Sequence, residues 1–161
     1  TGSHERGSGD PTAMPVTQWF DDRVQRIDAT DWRLDILGTV HDLAALRAME
    51  TDEFVALLDC TSGWFSEQTF RGVRLDRLID ASAWESVEVR SATGYARRFP
   101  ARDLDRLWLC FEMGGQPLSA GHGFPARLVA PDRRGFWWVK WVVSITPSDR
   151  PWWVQSPFPV T

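Results

Sequence analysis

Residues 114–145 read GGQPLSAGHGFPARLVAPDRRGFWWVKWVVSI and contain the features that decide the fold. Four glycines and two prolines fall within residues 114–125, which predicts tight turns and lets the backbone approach a ligand closely. The apolar segments ARLVAP and FWWVKWVVSIT then predict two closing strands joined by a turn at 132–135. The stretch therefore indicates β-structure interrupted by a glycine-rich connection.

Upstream of this stretch, apolar alternation predicts five further strands and two short helices. Asp42 is a suitable cap for the helix LAALRAM, and residues 61–74 are interpreted as a Ser/Gly-rich loop. Because strands outnumber the short, scattered helices, the pattern predicts an α+β fold with mixed or antiparallel sheets. The predicted strands are WRLDILG (32–38), EFVALLDC (53–60), SVEVRSA (86–92), YARRFP (95–100) and LWLCFEM (107–113), and the second helix is LDRLIDAS.

The length of 161 residues favours one domain. The polar opening TGSHERGSGDPTA has no periodicity, so we expect residues 1–13 to be a disordered lead or expression remnant, with the domain over 14–161. It has neither the basic start nor the apolar run of a signal peptide, and no stretch of the chain approaches eighteen consecutive apolar residues. The tail SDRPWWVQSPFPVT is predicted to be irregular.

The composition argues against nucleic acid as a partner and draws attention to Lys140. A net charge of −4 argues against a nucleic-acid binder that depends on phosphate neutralisation. Ten tryptophans against nine phenylalanines and one tyrosine indicate either a large stacked site or a Trp-rich core. Lys140 is the one lysine among 18 lysine and arginine residues, which makes its position worth inspecting.

Cys60 is the first candidate for chemistry, because a predicted buried strand delivers it to a loop. A thiolate there could ligate a soft metal or act as a nucleophile, paired with His122 or His41 in a Cys-His hydrolase. The alternatives are an inert buried cysteine and a disulfide between Cys60 and Cys110. A structural zinc site would need four Cys or His ligands, so it is disfavoured.

The second candidate is a set of donors within residues 121–145. Arg127 can grip a phosphate with two parallel hydrogen bonds, Lys140 adds a compact charge, and His122 lies close in sequence. Gly135 gives access to the backbone N–H groups that follow it, which can form an anion cradle. The alternative is that these side chains are solvated strand positions. Their convergence predicts a phosphate pocket.

The motifs DCTSGW, FRGVRLDRLI, SATGYARRFP, GGQPLSAGHGFPARLVAP and GFWWVKWVVSI, in this order, resemble the molybdopterin-binding domain of the sulfite oxidase family. The chain is also similar to catalytic subunits of periplasmic methionine-sulfoxide reductases and to membrane-linked actinobacterial oxidoreductases. The resemblance implies the sulfite-oxidase-type fold and a mononuclear molybdenum held by one pterin dithiolene and by the Cys60 thiolate. It implies that the pterin-binding residues are His122, Arg127, Gly135, Phe136 and Lys140.

The same resemblance implies an oxidoreductase that transfers an oxygen atom to or from a small sulfur or nitrogen oxo-compound while molybdenum cycles between Mo(VI) and Mo(IV). It implies a haem or quinol-linked electron-transfer partner. The net charge already argues against nucleic acid as a partner, and nothing in the sequence requires a dimer, so we expect a monomer. The resemblance places the domain on the extracytoplasmic side of the cell membrane, with any membrane-anchoring region outside this chain. The Trp-rich tail could then lie near a membrane or line the substrate entrance.

Two departures from the family pattern support an alternative, a non-catalytic domain that binds the cofactor or an anion without turnover. The stretch after Cys60 is Thr-Ser-Gly-Trp, where sulfite oxidases carry a G-N-R segment with a substrate-binding arginine, so sulfite is disfavoured as substrate. The family's active-site tyrosine has no counterpart near the C-terminus, because Tyr95 belongs to the earlier hairpin. Trp152, Trp153 or Gln155 is expected in that region instead.

Overall fold

The structure is a computed structural model that describes residues 2–18 and 22–157. Within these ranges the chain forms two sheets, one short α-helix and four 3₁₀ turns. The strands are β1 His4–Glu5, β2 Leu34–Ile36, β3 Thr39–His41, β4 Asp52–Cys60, β5 Trp64–Arg74, β6 Ser86–Ser91, β7 Ala96–Pro100, β8 Trp108–Met113, β9 Gln116–Pro117, β10 Arg127–Val129 and β11 Val142–Ser148. Helix α1 is Leu43–Ala48, and the 3₁₀ turns are Leu75–Arg77, Ala101–Arg106, Ala120–His122 and Gly135–Trp137.

The first sheet is built on the long antiparallel hairpin of β4 and β5. Strand β5 also pairs with β8, and β8 pairs with β10. The two short strands complete the sheet, because β1 pairs with β5 and β9 pairs with β8. The register pairs Cys60 directly with Trp64, so these two side chains are neighbours on one face. The hairpin therefore fixes Cys60 at the last position of β4, beside an aromatic ring.

The second sheet has the order β3-β2-β11-β6-β7 and combines parallel with antiparallel pairs. Strands β2 and β11 run parallel, whereas β6 lies antiparallel to both β11 and β7. Val87, Val89 and Ile145 from this sheet are fully buried. Mixed sheets with few and short helices confirm the predicted α+β class.

Helix α1 begins where the sequence predicts. The Asp42 carboxylate accepts a hydrogen bond from the Ala45 backbone N–H at 2.7 Å, and the helix buries Leu46. The second predicted helix is reduced to the 3₁₀ turn at Leu75–Arg77. In the ranges that the structure describes, no helix has the length and apolar character needed to cross a membrane.

The opening residues differ from the disordered lead that the composition predicts. Strand β1 pairs in parallel with β5, and the Ser3 hydroxyl donates to the Asp59 carboxylate at 2.8 Å. The Arg6 backbone N–H donates to the Phe65 carbonyl at 2.8 Å, and Met14 is buried in the core. Backbone hydrogen bonds to β5 hold this segment, and buried apolar side chains are not needed for it. Its polar composition therefore did not predict that it is ordered.

Two strand boundaries are also wrong in the prediction. The segment after Cys60 is a three-residue turn followed by β5, not a long loop. In FWWVKWVVSIT the regular strand starts only at Val142, because residues 135–137 form a 3₁₀ turn and Trp141 has a positive φ of 51°. Strands β10 and β11 consequently lie in different sheets instead of forming one hairpin.

Candidate functional site

A cavity of about 240 Å³ opens where the ends of several elements meet. Its walls come from the end of β4, the start of β5, the β6–β7 turn, β10 and the irregular segments around 14–18 and 135–141. All six site residues predicted from the sequence line it: Cys60, His122, Arg127, Gly135, Phe136 and Lys140. Residues more than 75 positions apart are thus brought to one chamber.

Cys60 is a free, buried thiol at the wall of this cavity. Its Sγ lies 3.0 Å from the Ser62 hydroxyl and 3.8 Å from the Thr17 hydroxyl. Its backbone carbonyl accepts from the Arg134 guanidinium at 3.3 Å. Cys110 is also a free thiol, so the disulfide alternative is excluded. The thiol can therefore bind a soft metal without first being released from another bond.

The imidazole of His122 is held by the chain's own backbone. Its Nε2 lies 3.1 Å from the Met14 carbonyl and 3.3 Å from the Pro15 carbonyl, so Nε2 carries the proton and donates. Its Nδ1 lies 2.8 Å from the Ser119 hydroxyl, which donates to it. Burial, and then the positive charge of Arg127, lower the pKa of His122. The ring is therefore a neutral donor, and in the described residues it makes no hydrogen bond to Cys60.

Arg127 is a fully buried cation whose hydrogen bonds are incomplete. Its guanidinium donates to the His122 carbonyl at 3.0 Å and to the Trp138 carbonyl at 3.4 Å, while Nε has no acceptor. Among the described residues no carboxylate forms an ion pair with it. Burial lowers the pKa of Arg127 to about 10. A buried positive charge without a counter-ion is costly, and an anion in the cavity would compensate it.

Lys140 lies next to Arg127 and is held in a similar way. Its ammonium donates to the Thr17 carbonyl at 2.6 Å and to the Gly121 carbonyl at 2.7 Å, which uses two of its three N–H groups. Burial, and then repulsion from Arg127, lower the pKa of Lys140 to about 7. One donor remains for a ligand. Together the two cations form an anion pocket on one side of the cavity.

Glycines give this pocket its shape. Gly123 has a positive φ of 114°, and a Cβ there would stand 2.9 Å from the Arg127 Cβ and 3.3 Å from that of Lys140. A Cβ on Gly135 would meet the Asp59 carbonyl at 3.3 Å and the Cys60 Cα at 3.4 Å. Glycine at both positions lets the backbone close around the two cations and the end of β4. The donor set and the cradle fit a phosphate beside a soft-metal ligand.

The depressed pKa of Lys140 leads to a prediction about stability. The unfolded lysine holds its proton up to about pH 10.4, whereas the folded one loses it near pH 7. Between these values the unfolded state binds more protons, so the free energy of unfolding of the cofactor-free protein rises with pH. We expect Lys140→Met to remove this rise between pH 7 and 9.5, measured by urea unfolding at each pH. If the free energy of unfolding rose equally with pH in the wild-type protein and in Lys140→Met, the depressed pKa of Lys140 would not be the cause of the rise.

Sequence reasoning missed several cavity residues. Tyr95 lines the cavity, donates to the Phe136 carbonyl and has its pKa raised by burial, although it belongs to the β6–β7 hairpin and not to the C-terminal region. Thr93 and Asp22 line the cavity too, joined by a 3.2 Å hydrogen bond. The signal for two of them is the motif SATGYARRFP, whose turn carries Thr93 and Tyr95 to the cavity.

The C-terminal aromatic residues lie elsewhere. The side chain of Gln155 bonds both to the Arg98 backbone N–H, at 2.9 Å, and to the Arg98 carbonyl, at 2.8 Å. Trp152 packs against Trp137 with ring centroids 6.3 Å apart. In the part of the tail that the structure describes, Trp152, Trp153 and Gln155 are absent from the cavity wall. The expectation that they replace an active-site tyrosine is therefore wrong, and the tail packs against β7.

Comparison with known proteins gives a consistent result. The family described as "Oxidoreductase molybdopterin binding domain" matches residues 21–155. Mitochondrial sulfite oxidase of Homo sapiens is 42% identical over 65 residues, which cover 37% of this chain and 12% of that protein. The corresponding protein of Mus musculus is 35% identical over 105 residues, or 55% of this chain and 19% of that protein.

A solved structure also matches the fold. The crystal structure of the sulfane dehydrogenase SoxCD from Paracoccus pantotrophus superposes with a TM-score of 0.73 at 25% identity. The match covers 79% of this chain and 40% of the SoxCD chain. The matched segments thus amount to less than a fifth of each sulfite oxidase named above and to less than half of the SoxCD chain.

Proposed function

The chain belongs to the molybdopterin-binding oxidoreductase domains of the sulfite oxidase family, and on that premise we propose that it binds one molybdenum-molybdopterin and transfers an oxygen atom to or from a small sulfur or nitrogen oxo-compound. Members of this family are enzymes, and the domain type implies this cofactor.

One observation carries the proposal: a free thiol, the buried Arg127 guanidinium with an unsatisfied N–H, and the partly buried Lys140 ammonium line the same cavity. A thiolate suits a soft metal, and a buried Arg-Lys pair suits a phosphate. The pterin cofactor carries both groups on one molecule, so a single ligand would satisfy both ends of the cavity. A hydrolase built on Cys60 would leave the buried charges of Arg127 and Lys140 unexplained.

Each residue has a distinct part in this proposal. Cys60 provides the thiolate ligand, while Arg127 and Lys140 hold the phosphate. His122, whose N–H is bonded to the Met14 and Pro15 carbonyls, lines the same pocket and positions the backbone there. Gly135 and Phe136 line the same cavity and would contact the pterin. When bound, the cofactor supplies two-electron oxygen-atom transfer with molybdenum between oxidation states VI and IV. Reduction of an oxo-compound XO takes up two electrons and two protons and yields X and water, and oxidation is the reverse.

The rest of the cavity favours a neutral substrate. Its described cationic side chains are those assigned to the phosphate, and the remaining polar groups include the hydroxyls of Ser62, Thr93 and Tyr95 and the carboxylate of Asp22. The carboxylate of Asp22 would repel sulfite, whereas a neutral sulfoxide or N-oxide would meet no such repulsion. We propose a haem or quinol-linked electron partner and an extracytoplasmic location on the basis of the resemblance to membrane-linked relatives.

The first test is elemental analysis of protein made in a host that synthesises the cofactor. We expect roughly one molybdenum atom per chain, with the fluorescence of oxidised pterin released on denaturation. Absence of both, in a host that loads a control enzyme, would overturn the proposal. Dye-linked assays with sulfoxides, N-oxides and sulfite would then rank substrates.

The departures in the Cys60 turn favour a second candidate, a domain that binds the cofactor or an anion without turnover. This candidate predicts bound pterin but no change in metal oxidation state. A paramagnetic Mo(V) signal on partial reduction, together with turnover of an oxo-compound, would exclude it.

A further inference from the structure

We propose that the Ser62 hydroxyl donates a hydrogen bond to the Cys60 sulfur and, as a positioning residue, raises the reduction potential of the metal bound there. The proposal rests on the proposed function, because it takes Cys60 as the metal ligand. It concerns a residue two positions after the cysteine, in the turn where the chain departs from the sulfite oxidase pattern.

The geometry places this hydroxyl in a defined position. The Oγ–Sγ distance is 3.0 Å, well inside the range for a hydrogen bond to sulfur. The turn that carries Ser62 has three residues, closed by the Cys60–Trp64 pair and by the Gly63 N–H donating to the Cys60 carbonyl at 3.1 Å. Gly63 has a positive φ of 93°, as this type of hairpin turn requires. The backbone therefore holds Ser62 over the end of β4.

The direction of the hydrogen bond follows from the chemistry of the ligand. A thiolate bound to a metal has no proton to give, so the hydroxyl must be the donor. The competing hydroxyl of Thr17 lies farther away, at 3.8 Å. Cys60 is only 8% exposed, whereas Ser62 is exposed. Ser62 is therefore the nearest hydrogen-bond donor to the sulfur among the described side chains.

A donated hydrogen bond withdraws electron density from a thiolate ligand and stabilises the more reduced, more negative state of the metal. Removing it should shift the reduction potential to more negative values. It should not remove the metal, because the thiolate and the phosphate pocket remain. Metal content and redox potential thus separate the role of Ser62 from that of Cys60.

The experiment is a potentiometric titration of the loaded protein, followed by the Mo(V) paramagnetic signal, with molybdenum content measured on each sample. Ser62→Ala is compared with Ser62→Thr, which keeps the hydroxyl, and with Thr61→Ala, which removes a neighbouring hydroxyl that makes no hydrogen bond to the thiol in the described structure. We expect full molybdenum content in all variants. The midpoint potential should fall only in Ser62→Ala.

Each other outcome decides against the proposal. An unchanged potential in Ser62→Ala, with a wild-type Mo(V) signal, overturns the role of Ser62 and leaves the proposed function standing. An equal shift in Ser62→Thr or Thr61→Ala shows that the shape of the turn matters rather than the hydroxyl. A wild-type protein without molybdenum overturns the proposed function and this inference with it.

Discussion

Replacing Cys60 with alanine is expected to reduce bound molybdenum from roughly one atom per chain to background, because the cavity then offers no thiolate to the metal. Pterin is expected to remain in part, since Arg127 and Lys140 still hold its phosphate. Elemental analysis and released pterin fluorescence measure the two components separately. Dye-linked oxidoreductase activity should disappear with the metal.

The matched control is Cys110→Ala. Cys110 is a free and fully buried thiol in β8, and burial raises its pKa, so it behaves as a small apolar side chain. Its removal should lower the free energy of unfolding by about 1–2 kcal/mol through the cavity left behind, with molybdenum content unchanged. Molybdenum retained in Cys60→Ala, or lost equally in both variants, would contradict the assignment of Cys60 as ligand.

Elements with local signals were predictable from the sequence. The Asp42 cap and the spacing of Leu43, Leu46 and Met49 define α1, and both features lie within eight residues of each other. The Thr93-Gly94 turn likewise joins β6 to β7 as predicted, with Gly94 at a φ of 89°. In each case the residues that decide the element belong to the element itself.

Elements held by distant backbone groups were not predictable in this way. Strand β1 is polar and exposed, and it exists because β5 offers it unpaired backbone groups some 60 residues away. The part of FWWVKWVVSIT before Val142 is apolar enough for a strand. It is nevertheless irregular, and its Val139 carbonyl accepts a hydrogen bond from the Leu128 N–H at 2.7 Å. Periodicity alone carries no information about such partners.

The site shows the same division. The cations Arg127 and Lys140 were predictable as a phosphate pocket, because their types and spacing suggested convergence. Their environment was not, since the acceptor for Lys140 is the Thr17 carbonyl, 123 residues away. Tyr95 reaches the cavity because the β6–β7 hairpin belongs to the second sheet, and no local motif indicates where that hairpin lies relative to the cavity. The sequence thus indicated which residues carry the chemistry of the site, but it did not indicate which other residues line the cavity.

Replacing Arg127 with methionine is expected to weaken cofactor retention roughly a hundredfold or more, because loss of one partner of a buried charge pair costs about 3–5 kcal/mol. The same change should alter the free energy of unfolding of the cofactor-free protein by less than about 2 kcal/mol. It removes a buried cation that has no ion pair in the described structure, and this gain offsets the loss of hydrogen bonds to the His122 and Trp138 carbonyls.

Arg97→Met is the matched control for this prediction. Arg97 is also buried, and its guanidinium stacks on Trp137 at 4.3 Å and donates to the Ser156 carbonyl at 2.9 Å, but it is absent from the described cavity wall. Thermal unfolding with and without cofactor measures both effects, since a bound ligand raises the melting temperature. The increase should persist in Arg97→Met and become much smaller in Arg127→Met. An equal loss in both variants would mean that Arg127 stabilises the fold rather than the phosphate.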